Sequence, residues 1–409
     1  MNNKKVRRNF FIIGKEKYYK SNINNIKKIV EIINKDRLVI VSGLRNIGKV
    51  NFIKNLLNKT GITNNYFYFN KSNDPENMIN SYKELDILLN DYVRLYKKPN
   101  IIILQNVEKI NGIKEFLTKI YKENHKIVLV GNNIKIGGIK EIEILNDYNL
   151  NNENLLNVVK FGSFNELKQL GKLKHKESNT LKQLDLSQLK ESLLNFLTSD
   201  IFLSDIFKNF GVKSIELYNS TITYLAENNI FVSQRELQKN LNNINKISLK
   251  TVIDYIDFSI QSKIIKRVYR FDIKTNKPIT SKGKYYFTDN GIRNSLVGFN
   301  ANTNILLENL IFNILEYNNY TIYSGLNGKF DFSFYIEKEN EKMYIHISKQ
   351  ETKEELKKEV NKLLKIGKEG KKYLLVQSIE KLGIKKLKYD SVEIIEINDF
   401  LIKFGKQKN

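Results

Sequence analysis

The segment RLVIVSGLRNIGKVNFIKNLL, residues 37–57, constrains this chain more than any other. Leu38 to Val41 form an apolar run that reads as a buried strand. A glycine-bearing loop follows, and residues 50–59 have the apolar spacing of a helix. Gly43, Gly48 and Lys49 satisfy the spacing G-x-x-x-x-G-K. In that setting the glycines let backbone N–H groups turn inward around phosphate oxygens, and the helix start adds partial positive charge. Arg45, Asn46 and Ile47 fill the loop, Lys49 would reach the outer phosphates, and Val50 closes the set of candidate nucleotide-binding residues. Val50 stands where a serine or threonine hydroxyl would hold magnesium.

The residues that follow alternate between short apolar runs and longer amphipathic ones. Strands are expected at 65–69, 101–104, 126–130 and 141–145, with helices at 23–34, 78–96 and 113–123. That alternation predicts a parallel sheet covered on both faces, with any ligand beyond the carboxyl ends of its strands. The strand IIIL is followed by Gln105 and Asn106, where chemistry on a triphosphate wants acids. Gln105 cannot balance a metal's charge, and Asn106 cannot take a proton from water. Glu108 is the nearest carboxylate, and continued strand alternation would place it two residues too far along.

Residues 151–230 are leucine-rich and helical, with few strand signals. Helices at 232–241 and 247–265, then β-like runs at 266–272 and 284–289, give the order of a winged helix, with 275–283 as the wing tip. Its candidate nucleic-acid contacts are Lys250, Lys266, Arg267, Arg270, Lys274, Lys277 and Lys282. Residues 263–284 hold eight basic residues against Asp272, and the whole chain has a net charge of +24. Such basicity favours a polyanionic partner. A lysine-rich codon bias would raise the charge as well, and Asp254 and Asp257 on the second helix would repel a phosphate backbone. The last part is α+β: helices at 306–318 and 353–367, with strands near 320–325, 329–336, 342–348, 372–377 and 392–397.

Composition removes whole classes of chemistry. Cysteine is absent, so disulfides, thiolate metal sites and cysteine nucleophiles are excluded. The three histidines, His125, His175 and His346, lie far apart. No apolar run is long enough to cross a bilayer, and the apolar patch near the start is too short for a signal-peptide core. No membrane partner and a cytoplasmic location are expected.

Taken with NNYFYFN, NIIILQNVEKINGIKEFLTKIY and HKIVLVGNN, the loop resembles the prokaryotic AAA-type P-loop ATPases that carry an uncharacterised C-terminal domain. The runs KYYFTDNGIRN, LLENLIFNIL and KFDFSFYI resemble that second domain in order and spacing. The resemblance implies a P-loop NTPase sheet, ATP as ligand, and Asn132 or Asn133 as the polar residue facing the terminal phosphate. Gly43, Arg45, Gly48 and Lys49 match the family's loop, while Val50, Gln105 and Asn106 depart from its threonine and its acids. The tail also resembles PD-(D/E)XK nucleases in the order Glu308, Asp331, then residues 344–348. There Asp331 matches, but His346 and Ser348 replace the Glu-x-Lys pair, so no catalytic metal site is expected. His346 is expected as a packed or surface residue.

The expected organisation is therefore α/β: an AAA-type P-loop domain over 1–150, a helical region over 151–230, a winged helix over 231–300 and an inactive nuclease-like α+β domain over 301–409. The expected function is ATP binding with little hydrolysis, in a module that meets nucleic acid or a protein partner. Magnesium is not expected to bind well. Two alternatives stay open: a working ATPase with unusual metal ligation through Glu108, and an interaction protein whose nucleotide pocket is empty. The oligomeric state is not readable.

Overall fold

The computed structural model describes residues 23–405, apart from 62–64, 75–77, 133, 135, 146–147, 149, 152–153, 165, 168–185, 244–245, 300–302, 340, 351, 368 and 385–387. It divides into two compact units, residues up to 145 and residues from 146.

The first unit begins with α1 (Ile23–Asp36), β1 (Leu38–Gly43), α2 (Lys49–Lys59) and β2 (Tyr66–Asn70). It continues with α3 (Tyr82–Tyr96), β3 (Ile101–Gln105), α4 (Ile113–Lys122), β4 (Ile127–Val130) and β5 (Glu141–Ile144). Among the described residues these strands form a five-stranded sheet in the order β2-β3-β4-β1-β5. Every pairing is parallel. The continuous apolar strands have this cause: a parallel sheet is covered on both faces, so alternation is lost. Leu38 and Ile40 pack on the α3/α4 side, while Val39 and Val41 pack on the α1/α2 side. Helix α3 starts at Tyr82 rather than at 78, because the N-cap Ser81 and Glu84 form a reciprocal capping box.

The second unit opens with α5 (Leu155–Phe161), α6 (Leu186–Ile201) and α7 (Ile215–Glu227). Between α6 and α7 the helical path widens into a π-type segment at Phe202–Phe207. Next come α8 (Gln234–Leu241), α9 (Leu249–Gln261), β6 (Ile265–Asp272), β7 (Lys277–Phe287), α10 (Asn290–Val297) and α11 (Thr303–Tyr317). The chain ends with β8 (Thr321–Asn327), β9 (Phe330–Lys338), β10 (Glu341–Ile347), α12 (Lys353–Leu364), β11 (Lys371–Val376), β12 (Lys388–Tyr389), β13 (Val392–Glu396) and α13 (Ile397–Gly405). These strands form one eight-stranded sheet, ordered β12-β13-β11-β10-β9-β8-β6-β7.

Two features of this unit differ from the sequence reading. The expected wing tip at 275–283 is mostly strand: β7 starts at Lys277 and pairs with β6 past a bulge at Tyr269/Arg270. Pro278 is tolerated because β7 is the edge strand of the sheet. Strand β6 also pairs in parallel with β8, so 231–300 and 301–409 share one sheet. Helix α11 and the C-terminal helix α13 cover one face of this sheet through Leu310, Ile311, Phe400 and Leu401, and α12 covers the other through Leu356, Val360 and Leu363.

Candidate functional site

The site is built where β1, β3 and β4 end. Strand β1 finishes at Gly43, whose φ of 147° suits glycine. A Cβ there would lie 2.6 Å from the Ile144 carbonyl oxygen, so the strand end accepts no side chain. Asn46 is left-handed at φ 62°, and Gly48 caps α2 at φ 98° without any side-chain cap. A helix that begins on a bare left-handed glycine offers its first N–H groups to an anion. The Lys49 ammonium bends over this loop and donates to the carbonyl oxygens of Gly43 and Leu44 at 2.6 and 2.9 Å. Arg45, Asn46, Ile47, Gly48, Lys49 and Val50 are all partly exposed along it.

Strand β4 supplies the second wall. Asn132 Oδ1 accepts a hydrogen bond from the Gly43 amide at 3.0 Å, so this side chain ties the end of β4 to the base of the loop. Asn133 lies outside the described residues.

The replaced acids sit on β3 and are already engaged. In the β2–β3 register Asn70 lies opposite Gln105. Gln105 is buried and its Oε1 accepts from the Tyr68 hydroxyl at 2.9 Å. Burial pushes that phenol up to about 12, so it stays a donor. Asn106 donates through Nδ2 to Asn70 Oδ1 at 3.1 Å and to Ser72 Oγ at 2.9 Å. Asn70 also holds its own turn by accepting from the Ser72 amide. This amide and hydroxyl network was missed in the sequence; the one signal for it is that Asn70 ends the strand that pairs with β3.

Carboxylates nearby are few. Asp74 is buried, yet donors from Lys71, Met78 N–H and Ile79 N–H outweigh that burial and hold it below the usual carboxylate range. Glu108 does not follow strand alternation, because β3 ends at Gln105 and Asn106 turns left-handed at φ 54°. Its carboxylate instead occupies the space above Gly131, where a Cβ would fall 1.8 Å from Oε1. Gly131 directly follows β4 and precedes Asn132, so Glu108 folds back toward the loop. Among the described residues, no group of three or more His, Asp or Glu is arranged to hold a metal ion.

A model of the AAA domain family matches residues 35–146, the span that contains this loop, the sheet and both strand ends. Over residues 35–146 the chain is thus similar to an AAA-type P-loop domain. A second family model, a domain of unknown function (DUF8612), matches residues 181–303. An uncharacterised protein of Haemophilus influenzae is 22% identical over 399 residues, covering 93% of this chain and 98% of its own. Among solved structures, a Walker-type ATPase of Pyrococcus abyssi is 11% identical, with TM-score 0.46, covering 70% of this chain and 99% of its own. AMPPCP-bound DnaA from Aquifex aeolicus is 15% identical, with TM-score 0.31, covering 64% of this chain and 93% of its own.

The AAA-type domain's cradle fits a triphosphate: open glycines, free helix-start geometry and a lysine over the loop. It does not fit a tightly held divalent cation, since Val50 offers no oxygen and Gln105 and Asn106 are bound to Tyr68, Asn70 and Ser72.

In the second unit the residues matched to a nuclease do not converge. Glu308 lies on α11 and accepts from Lys284, Tyr286 and Asn229. Asp331 is paired with Arg270 at 3.0 Å. Met343 and Ile345 of β10 face the α11 side, whereas Tyr344 faces α12. His346 shares the Tyr344 face and meets Glu359 of α12 at 3.3 Å, with Phe330 against its ring. Hydrogen bonds from His346 and Ser348 outweigh the burial of Glu359 and hold it below the usual carboxylate range. Glu308 and His346 are thus on opposite faces of the sheet, and His346 is a packed residue.

The basic hairpin is also largely self-neutralised. Lys266 pairs with Glu316 at 2.8 Å, Arg267 with Asp257 at 3.4 Å, Lys282 with Glu236 at 2.5 Å and Lys284 with Glu308 at 2.5 Å. The Arg270 guanidinium stacks on Phe231 as well as meeting Asp331. Lys250, Lys274 and Lys277 are exposed.

Proposed function

We propose that this protein binds ATP in the cradle of Gly43 to Lys49 and turns it over slowly or not at all. The observation that carries this reading is the pairing of a retained loop with a rewired strand end. The loop keeps its left-handed glycines and its lysine. At the strand end, amides have replaced the acids and are bound into a network with Tyr68, Asn70 and Ser72. The triphosphate would be held by loop N–H groups and Lys49, with Asn132 fixing the loop from below; magnesium, when bound elsewhere, would only neutralise phosphate charge. The second unit is read as a winged helix (α8, α9, β6, β7) joined to a PD-(D/E)XK-like scaffold without its catalytic set, and as the surface for a nucleic-acid or protein partner. The order of elements and the serine caps at Ser233 and Ser248 support that reading.

Equilibrium binding of mant-ATP to the protein and to Lys49→Ala tests it. Removing charge-assisted contacts should weaken binding by roughly tenfold to a hundredfold, the equivalent of about 1.5–3 kcal/mol. Absence of binding by the unaltered protein would favour an interaction protein with an empty pocket.

One observation favours a second reading. The Glu108 carboxylate folds over Gly131, beside the residue that anchors the loop, and so stands nearer the cradle than sequence spacing implies. In that reading Glu108 orients water for hydrolysis. Phosphate release that falls in both Glu108→Gln and Lys49→Ala would establish it, and equal rates in all three proteins would remove it.

A further inference from the structure

Five lysines of the second unit that form no ion pair among the described residues gather at one end of its sheet, two from the basic stretch 263–284 and three from elsewhere in the sequence. Because β6 and β8 run parallel, with Asp272 opposite Leu326, the β6–β7 and β8–β9 turns lie side by side at one end of the sheet. Lys274 extends from the first turn to within 3.0 Å of where a Cβ on Gly328 of the second would stand. Lys329 is exposed on that second turn. Lys362 of α12 lies over the Phe330 ring at 5.5 Å from its centroid. Lys365, one turn further, has its carbonyl 3.5 Å from Asn327 Nδ2. Lys277 opens β7 opposite Asp272. Three separate stretches of sequence therefore bring these five exposed lysines to one place.

Two acids share the surface. Asp331 is taken by Arg270, and the Asp272 carboxylate accepts from the Lys274 amide and Thr275 within its own turn. No ion pair is formed by the five lysines among the described residues, in contrast to Lys266, Arg267, Lys282 and Lys284 of the hairpin. The exposed large apolar side chains of the described residues all lie outside these two turns and α12, so nothing here would insert into lipid.

We infer that this end of the sheet, lined by Lys274, Lys277, Lys329, Lys362 and Lys365, binds the phosphate backbone of nucleic acid without reading sequence. Lysine ammonium groups on turns act as point charges for phosphates, and each one engaged releases a counterion. The inference names a surface for the partner assigned above to the second unit and does not depend on the nucleotide site.

The test is binding of a fluorescein-labelled, mixed-sequence DNA duplex of about 20 base pairs, by anisotropy, across a salt series without nucleotide. The triple variant Lys274→Gln/Lys329→Gln/Lys362→Gln should flatten the slope of log K against log salt by about 2 to 3. The corresponding triple arginine variant keeps the slope and guards against a loss of fold. The control Lys250→Gln/Lys282→Gln, on α9 and the hairpin, changes the slope by less than about 1. The inference is overturned by no binding at about 50 mM salt, by a slope that only the control variant flattens, or by capture on phosphatidylserine vesicles in place of DNA. Mant-ATP binding is measured on the same samples, so a failed nucleotide reading is seen separately.

Discussion

Where the parallel sheet of the first unit ends, Val50, Gln105 and Asn106 stand in the places that metal-assisted chemistry needs. Where the sequence resemblance would put a nuclease site in the second unit, the acids Glu308 and Asp331 are present. The first region kept its geometry and changed its groups: the left-handed turns at Gly43, Asn46 and Gly48 are intact, but amides and a branched hydrocarbon replace oxygen ligands. The second has the acids without a shared geometry: Glu308 is bound by Lys284 and Tyr286 on one face, and Asp331 by Arg270 at a sheet end. The two regions therefore differ in which half of a metal site they contain, and they should respond differently to mutation. In the first case the backbone is proposed to recognise phosphate. In the second the surviving acids have become parts of the packing.

The largest effect that would sharpen this contrast is at Gly43. Gly43→Ala forces a side chain onto a positive φ and against a backbone carbonyl. Strain of about 3 kcal/mol at the loop should weaken mant-ATP binding by roughly a hundredfold. Next is Glu308→Gln, which leaves the buried Tyr286 hydroxyl and Lys284 with a weaker acceptor. A loss on the order of 2 kcal/mol, or about 6 °C in Tm by calorimetry, is expected with ATP binding unchanged. If Glu308→Gln instead abolished an activity at unchanged Tm, the contrast would fail.

Restoring the first region comes third. Val50→Thr alone should change ATP affinity by less than about threefold, whereas Val50→Thr/Gln105→Asp/Asn106→Glu should make magnesium tighten binding by about tenfold. The triple variant also places a carboxylate beside Asn70 Oδ1, so a stability cost on the order of 1 kcal/mol should accompany it in urea unfolding. The smallest effect is Arg270→Gln, which breaks a partly exposed pair with Asp331 and should cost no more than about 1 kcal/mol.

Much of the first region was legible in the sequence, because its signals are local. Apolar strands, a glycine loop and an amphipathic helix each announce themselves within a dozen residues, and Gly43 to Lys49 form the loop those signals describe. The position of Glu108 was not legible. It depends on one left-handed residue, Asn106, that ends strand alternation, and on Gly131 leaving space from a different strand. The partners of Gln105 and Asn106 come from β2 and the turn that follows it, whose pairing with β3 no local pattern reveals. In the second unit the length of β7 was obscured by Pro278, Ser281 and Gly283, residues that read as a turn but sit on an edge strand. Helix α13 was missed because it follows β13 without a glycine or proline between them. The charge of 263–284 was read correctly as composition, but its pairing with Asp257, Glu236, Glu308 and Glu316 is a property of the fold.

The central claim is that the AAA-type domain keeps a phosphate cradle without a working grip on a divalent cation. Equilibrium ATP binding, measured once with excess magnesium and once with EDTA, tests it most directly. Dissociation constants that agree within about twofold are predicted, because loop N–H groups and Lys49 do the holding. Binding that tightens tenfold or more when magnesium is added, roughly 1.4 kcal/mol, would contradict it.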